Sequence, residues 1–352
     1  MANEGNRPGS DDRSFVRRTL IVLALSALVF LAWQLRNLLL MLFGAIVVAS
    51  VFRALADRIC SLTKASESVA VAISIVLVLG TLGGLVALFG AHIAFQVDVL
   101  AKTLPAAWQS FEQRVGDLGL ADQLRRLVEG VRQSSGSFAN LSRAVMSIGN
   151  GIAEILIVLF GGIYLAAQPR VYRAGAIKLV PPGRRALVAE AMDESERALR
   201  LWLKGQLIAM LVVGLLTGIG LSLLGLPSAL VLGLVAGLLE FIPFLGPILA
   251  AVPAVLLALA VSPDLALAVA LLYFAVQQLE GYVLTPLVQQ YAVELPGVIL
   301  LFSLLGFGLL FGTLGVVLAA PLTVVTYVLV KRLYVIEALH TPTPIPGENR
   351  TE

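Results

Sequence analysis

Cysteine and histidine are almost absent from this chain of 352 residues, which contains one cysteine and two histidines. The single Cys60 excludes an intrachain disulfide framework and any cysteine-rich metal site. His92 and His340 lie too far apart in the sequence to indicate a histidine-based metal centre. The patterns HExxH, GxSxG and the P-loop run do not occur either. We therefore predict that the protein is not an enzyme, is not driven by ATP, and needs no cofactor.

Charge is also scarce in this sequence, because charged residues make up 13% of it and hydrophobic residues 59%. The mean hydropathy of +0.93 excludes an ordinary soluble globular protein. The apolar residues fall in long blocks whose length suits a segment that crosses or enters a bilayer. We predict an all-α integral membrane protein whose permanent partner is the lipid bilayer. Nucleic acid is not an expected partner, because the basic stretches are interleaved with acids and flanked by apolar blocks.

Polar and apolar stretches divide the chain into seven predicted regions. They are a polar N-terminus (1–18), N-terminal membrane helices (19–95), an extramembrane helical insert (96–147), a membrane helix (148–167), a cytoplasmic amphipathic segment (168–205), a core of two broken-helix units (206–334) and a disordered polar tail (335–352). Basic residues concentrate at four places in this plan, namely 13–18, 53–64, 170–204 and 331–332. The positive-inside rule predicts that these places and both termini are cytoplasmic, with the insert outside.

Two local patterns predict the structure within the N-terminal membrane helices (19–95) and within the cytoplasmic amphipathic segment (168–205). Gln34, Arg36 and Asn37 separate two apolar blocks, which predicts a helical hairpin, with one long tilted helix as the alternative. Between Leu187 and Trp202, apolar residues recur at helical spacing beside charged ones. This pattern predicts an amphipathic helix that lies on the membrane surface.

The most informative stretch is almost wholly apolar and contains one carboxylate, Glu240, followed by Pro243, Gly246 and Pro247. Proline removes a backbone donor and clashes with the preceding turn, so a straight helix cannot pass through this run. In lipid, a broken helix is tolerated only where its freed backbone groups face protein or a water-filled cavity. A segment that is both broken and acidic indicates a binding site. The alternative is a kinked packing helix whose Glu240 reaches a membrane interface.

Gln277 and Glu280 stand three residues apart near the end of the next span, so they share one face of a helix. We predict that they point with Glu240 into one cavity. Glu240 would occupy the last turn of a half-helix, where the helix dipole and the apolar surroundings both disfavour the ionised carboxylate. Such a carboxyl can hold a proton and exchange it for a cation, which makes H+ or Na+ the expected coupling ion.

A short internal echo points to a second broken unit. The run LGPILAAVP at 245–253 resembles LGVVLAAP at 314–321, and Gly312 and Gly315 interrupt the second apolar block. Corresponding interrupted segments in two halves of a chain are typical of transporter binding sites. We predict about six full spans plus two re-entrant hairpins of opposite orientation, with about eight full spans as the alternative. The predicted substrate- or ion-binding residues are Glu240, Pro243, Gly246, Pro247, Gln277, Glu280, Gly312 and Gly315.

These motifs resemble the signature of a known family. The run EFIPFLGP at 240–247 and the run QQLEG at 277–281, with Pro286, Pro296, Gly312, Gly315 and Pro321, resemble the autoinducer-2 exporter family of PerM-like permeases. Gly205 and Gln206 at the start of a span fit the same pattern, and the resemblance covers about 13–334. The chain departs from the family pattern at Tyr282, Leu287 and Leu295, which make the loop after the penultimate span less polar.

The resemblance implies a multi-pass protein of the bacterial inner membrane that acts as a secondary transporter or exporter of a small solute or signalling molecule. A channel-like or regulatory permease without ion coupling is the alternative. Because the family includes proteins assigned to autoinducer-2 export and others assigned to sodium/proton antiport, the resemblance leaves the substrate open. We also expect a homo-oligomer.

Overall fold

A computed structural model describes the backbone of residues 9–85, 138–284 and 295–343 and a few single residues beside them, with side chains from residue 15 except 28, 32 and 138–152. The helices are α1 (Gly9–Gln34), α2 (Arg36–Thr63), α3 (Glu67–Leu85), α4 (Phe138–Ala167), α5 (Pro169–Lys178), α6 (Arg185–Leu223), α7 (Ala229–Leu239), α8 (Leu245–Val261), α9 (Pro263–Leu279) and α10 (Gly297–Val330). Short 3-10 or π turns cover Pro182–Arg184, Glu280–Leu284 and Lys331–Ile336.

The prediction of an all-α membrane protein is confirmed, since every regular element in these ranges is helical. Among the described residues, five helices are long and apolar enough to cross a bilayer, namely α2, α3, α6, α9 with the turn that follows it, and α10. The bent pair α4 and α5 makes a sixth if it counts as one span. Most of the predicted insert 96–147 and the tail beyond residue 343 lie outside the described residues.

The predicted hairpin of the first two apolar blocks is wrong. Leu35 alone separates α1 from α2, its N–H donates to the carbonyl of Leu31, and its carbonyl accepts from the N–H of Leu39, each over 2.9 Å. The two helices make almost no contact with each other. The polar residues of this joint include neither glycine nor proline, so helical bonding continues through it and the chain does not reverse.

The predicted surface helix of the amphipathic segment is also wrong. It forms the first half of α6, which runs for 39 residues directly into the following span. Its apolar face is not covered by lipid, because Leu199 and Trp202 are buried in a cluster with Leu40 of α2 and Val324 of α10. Apolar spacing shows that one face of a helix is covered but does not distinguish lipid from protein as the cover.

Ion pairs join three of the four basic segments at one end of the bundle, which we call the ionic end. Arg200 of α6 binds Asp57 of α2 over 2.8 Å. Arg332, just beyond α10, pairs with Glu190 of α6. The basic residues at the ends of α2 and α10 and at the start of α6 therefore lie on the same side of the bundle, as their shared charge predicts.

Glycines allow α7 to return along α6 with the two backbones almost touching. A Cβ on Gly233 would lie 2.5 Å from the Cα of Gly218, and a Cβ on Gly237 would lie 2.6 Å from the carbonyl oxygen of Met210. Small residues are what permit helices in a membrane to approach this closely. Because residue numbers fall along α6 as they rise along α7, this contact carries the end of α7 toward the ionic end of α6.

The first broken unit is a helical hairpin. α7 has 11 residues, which gives a length of about 16 Å, too short to cross the hydrocarbon core. The turn to α8 is tight, since a Cβ on Gly246 would lie 1.9 Å from the carbonyl oxygen of Leu239. Phe244 in this turn has a φ of 64°, a left-handed value that a bulky residue adopts only when its surroundings impose it.

The second broken unit folds back in the same way at Gly312, whose φ of 68° and ψ of −146° interrupt α10. A Cβ on Gly315 would lie 2.0 Å from the carbonyl oxygen of Phe307, whereas eight residues of straight helix would separate these positions by about 12 Å. The echoed glycines Gly246 and Gly315 thus occupy equivalent points. The first turn faces the ionic end, while α10 finishes there, so the two hairpins have opposite orientation.

Candidate functional site

Glu240 lies where α7 stops, and only 3% of its surface is exposed. The helix tightens at this point, because the N–H groups of Phe241 and Ile242 donate to the carbonyls of Leu238 and Leu239, three residues back. The proline at 243 prevents α7 from resuming its course. A carboxyl group is therefore held inside the protein at the end of an apolar helix, as the sequence predicted.

Glu280 meets Glu240 in this buried position. The two carboxyl groups lie within hydrogen-bonding range of each other. Gln277, one turn before Glu280, donates from its Nε2 to Oε2 of Glu280, so the two side chains share one helix face. Among the described residues, no N–H or O–H donor reaches Oε2 of Glu240. Two carboxylates this close repel each other strongly, so the pair requires at least one proton or a bound cation.

Gln206 completes the site and was absent from the residues predicted to form it. Its Nε2 donates to the backbone carbonyl of Glu240 over 2.7 Å. In a continuous helix this carbonyl would accept from the N–H of residue 244, a bond that the turn removes. The sequence indicated this residue only as a lone amide side chain at the start of an apolar span.

A second contact joins α6 to the turn. One helical turn before Gln206, Trp202 packs edge-on against Phe241 with ring centroids 5.8 Å apart.

The remaining residues of the EFIPFLGP run shape the turn that holds Glu240. The carbonyl of Pro243 accepts from the N–H of Leu245, and the carbonyl of Ile242 accepts from the N–H of Gly246, each over 2.8 Å. Pro247 lies in the first turn of α8, where backbone N–H groups have no acceptor within the helix, so the N–H that proline lacks costs no hydrogen bond. Three of the predicted site residues, Pro243, Gly246 and Pro247, therefore contribute to the site through the shape of the backbone turn beside Glu240.

Gly312 and Gly315 form the turn of the second hairpin, and the atoms nearest to an added Cβ on Gly315 belong to Phe307 and Phe311 of the same hairpin. The second hairpin packs against α2 and α6, whereas the first packs against α6 and α9. Phe311 and Leu314, which flank these glycines, pack against the same buried cluster as Phe241, the neighbour of Glu240. The sequence similarity between 245–253 and 314–321 reflects the turn geometry that both hairpins share. It does not indicate how far apart the two turns lie.

The oxygen atoms around the carboxyl pair are suitable ligands for a proton or a single cation. It offers two carboxyl groups, two amide side chains and the backbone carbonyls of a broken helix. Within the described ranges, no group of three or more His, Cys, Asp or Glu residues could hold a metal ion. Carboxylates and carbonyls are hard oxygen ligands, and they are used for coupling ions where discontinuous membrane helices meet.

Comparison with known proteins places these features in a family context. The family described as AI-2E family transporter matches residues 20–334. YueF of Bacillus subtilis (strain 168), named as a candidate transport protein, is 28% identical over 287 residues, which cover 77% of each chain. YrrI of the same strain, similarly named, is 30% identical over 208 residues that cover 58% of this chain and 59% of YrrI. The AI-2 transport protein TqsA of Escherichia coli (strain K12) is 23% identical over 257 residues, 69% of this chain and 72% of TqsA.

Proposed function

The chain belongs to the AI-2E family of membrane transporters, and on that premise we propose that it is a secondary transporter that exports a small solute or signalling molecule in exchange for protons or sodium ions. The ion step takes place at Glu240 and Glu280. The observation that carries this proposal is the direct contact of these two carboxyl groups, with Glu240 almost fully buried at the break between α7 and α8.

Electrostatics supports an exchange step at this pair. Two carboxylates in contact cannot both be ionised without a counter-charge, so the pair holds a proton when no cation is bound. A cation that enters the site replaces that proton and is ligated by the carboxylates. A buried ionisable residue in a membrane segment is costly to maintain, and such residues mark ion and substrate pathways.

The broken helix supplies the second part of the mechanism. Each exchange of a proton for a cation at the carboxyl pair changes how the two carboxyl groups are bonded, next to a turn held by the amide of Gln206. Because Trp202 lies one turn before Gln206 and packs on Phe241, a shift of the turn is transmitted to α6. Since the second hairpin also packs against α6, one helix connects both broken units. This arrangement fits alternating access by movement of one repeat against the other.

The test measures transport by the purified full-length protein in sealed vesicles. Autoinducer-2, which appears in the description of TqsA as an AI-2 transport protein, is the first solute to test, with Na+ pulses and an internal pH dye to follow the ion step. Glu240→Gln should remove coupled proton movement and flatten the pH dependence of transport, while Glu240→Asp should retain reduced activity. Asp264→Asn is the matched control, since it removes an exposed carboxylate from the far end of α9.

Two results would contradict the coupling role. If Glu240→Gln transports at the wild-type rate with the wild-type pH profile, Glu240 is a structural hydrogen-bonding residue and has no role in coupling. Transport without counterflow, in which external solute fails to accelerate the exit of labelled internal solute, would identify a channel-like or regulatory permease. Purification and thermal unfolding of each variant would show whether a loss of transport arises from loss of the fold.

A further inference from the structure

The short helix α5 lies across the end of the membrane helix before it. α4 and α5 meet at an angle of 92° at Gln168 and Pro169. α4 packs along α2, so it runs with the bundle, and a helix perpendicular to it lies in the plane of the membrane surface. α5 also stands at the ionic end, because Arg173 within it binds Asp193 of α6 over 2.6 Å. The chain thus has an interfacial helix at 169–178, inside the predicted amphipathic segment 168–205 but ahead of the residues 187–202 for which the sequence predicted a surface helix.

The two faces of α5 differ in chemistry. One face presents Val171, Tyr172 and, just beyond the helix, Leu179, which is 89% exposed. The side chains of α5 are all described, and none of its residues is buried against protein. Apolar side chains on a helix in the membrane plane are covered by the acyl region of the bilayer. The apolar face of α5 therefore anchors it at the lipid boundary.

A groove lies between α5 and the start of α6. The groove has a volume of about 340 Å³ and is lined by Arg170, Arg173, Ala174, Ile177, Lys178 and Arg185. Four of these six side chains are cationic, and none is a carboxylate. This concentration of one sign of charge at a membrane surface matches an anionic ligand.

The four cations are held in two different ways. Arg173 is fixed by Asp193, and Arg185 by the carbonyl of Val180 over 3.0 Å. Arg170 is 91% exposed, and its contact with the carboxylate of Glu67 is long, at 3.8 Å. Lys178 is exposed as well. Because Asp193 compensates the charge of Arg173, the positive charge offered to a ligand comes from the fixed Arg185 and from two long side chains, Arg170 and Lys178, that can close on it.

We propose that this groove binds the headgroup phosphate of an anionic phospholipid from the adjacent leaflet. The phosphate is contacted by Arg170, Lys178 and Arg185, while the acyl chains lie beside Val171, Tyr172 and Leu179. A lipid fits better than a free anion because the basic groove and the apolar face belong to one helix at the level of the headgroups. The bound lipid would fix α5 and hence the start of α6, the helix that carries Gln206.

The test measures lipid-induced stabilisation of the purified full-length protein in detergent. Dihexanoyl phosphatidylglycerol is titrated below its micelle concentration, and the melting temperature gives an apparent Kd. Dihexanoyl phosphatidylcholine and inorganic phosphate are titrated in parallel. We expect saturable stabilisation by phosphatidylglycerol alone. Because each cation near such a surface contributes about 1 kcal/mol, Arg170→Gln with Lys178→Gln should weaken the apparent Kd roughly 30-fold.

The matched control removes two cations from the same end of the bundle but outside the groove. Arg58→Gln with Arg197→Gln makes the same change of charge at exposed positions and should leave the apparent Kd at the wild-type value. Equal binding by the groove variant and this control would overturn the proposal. Equal stabilisation by phosphatidylcholine would also overturn it, and stabilisation by inorganic phosphate alone would identify a free-anion site instead.

A measurement on the wild-type protein keeps the proposal testable if the groove variant does not fold. Raising the NaCl concentration from about 0.05 to 0.5 M shortens the screening length and should weaken phosphatidylglycerol binding severalfold. An apparent Kd that is independent of salt would show that charge does not hold the lipid, and it would contradict the basic groove as the binding site.

Discussion

Replacing Gly246 by alanine tests whether the first hairpin closes as tightly as its geometry requires. A Cβ at this position would lie 1.9 Å from the carbonyl oxygen and 2.6 Å from the carbonyl carbon of Leu239. Non-bonded heavy atoms prefer separations of about 3.5 Å, so α7 and α8 would have to part by more than about 1 Å. Neither atom belongs to a flexible side chain that could swing away, so the backbone itself must move.

The expected cost follows from two opposing effects. Overpacking a tight contact typically destabilises a protein by about 1–3 kcal/mol, and a clash with backbone belongs at the upper end of that range. Alanine offsets up to about 1 kcal/mol of this, because it favours the helix more than glycine does. We therefore expect Gly246→Ala to lower the stability of the folded protein by about 2 kcal/mol. Parting the arms also moves Glu240 away from Glu280, so transport should fall with stability.

Thermal unfolding of the purified protein measures this effect, and the chain supplies a matched control. An added Cβ on Gly80 in α3 would meet no atom within 4 Å beyond the neighbouring backbone of its own helix, so Gly80→Ala should melt at or above the wild-type temperature. At roughly 2–4 °C per kcal/mol, Gly246→Ala should melt about 4–8 °C lower. Gly315→Ala should behave like Gly246→Ala. Coincident melting of Gly246→Ala, Gly80→Ala and wild type would refute the hairpin contact.

Two further predictions concern the break and the membrane topology. Pro243→Ala should preserve the fold, because Gly246 still shapes the turn, but should abolish transport by relaxing the position of Glu240; normal transport would mean that the break is purely architectural. With Cys60 replaced by serine, a cysteine at Gly183 should be shielded from an impermeant thiol reagent in intact cells and react after permeabilisation. Labelling of that cysteine in intact cells would place the ionic end outside.

The broken helices could be predicted from the sequence because their causes are local. Pro243 restricts the backbone within one turn, whereas Gly246 and Gly312 permit a close approach and a positive φ that other residues would resist. The same holds for Gln277 and Glu280, whose spacing alone places them on one face of a helix. Signals of this kind survive in the linear sequence, and the structure places all five residues in the turns or faces that they predicted.

The two errors differ in origin. At the joint beside Leu35, polar residues alone were mistaken for a turn, although no glycine or proline is present there to reverse the chain. The apolar stripe ending at Trp202 looked like a lipid-facing surface because its protein cover comes from α2 and α10, far away in the sequence. Glu240 and Glu280 were expected to share a cavity, but how closely their carboxyl groups approach depends on the packing of α7, α8 and α9, which spacing along the chain does not encode.

The two hairpins share a turn geometry but differ in chemistry, and this difference determines how the protein can work. Glu240 directly follows Leu239, the residue whose carbonyl faces Gly246, whereas the residue that follows Phe307 at the corresponding contact is Gly308. The second turn therefore has no carboxyl group at the equivalent point. If an ion step drives the cycle, it acts on the first hairpin alone, and the second can respond only through a shared neighbour. α6 is that neighbour, since it packs against both hairpins.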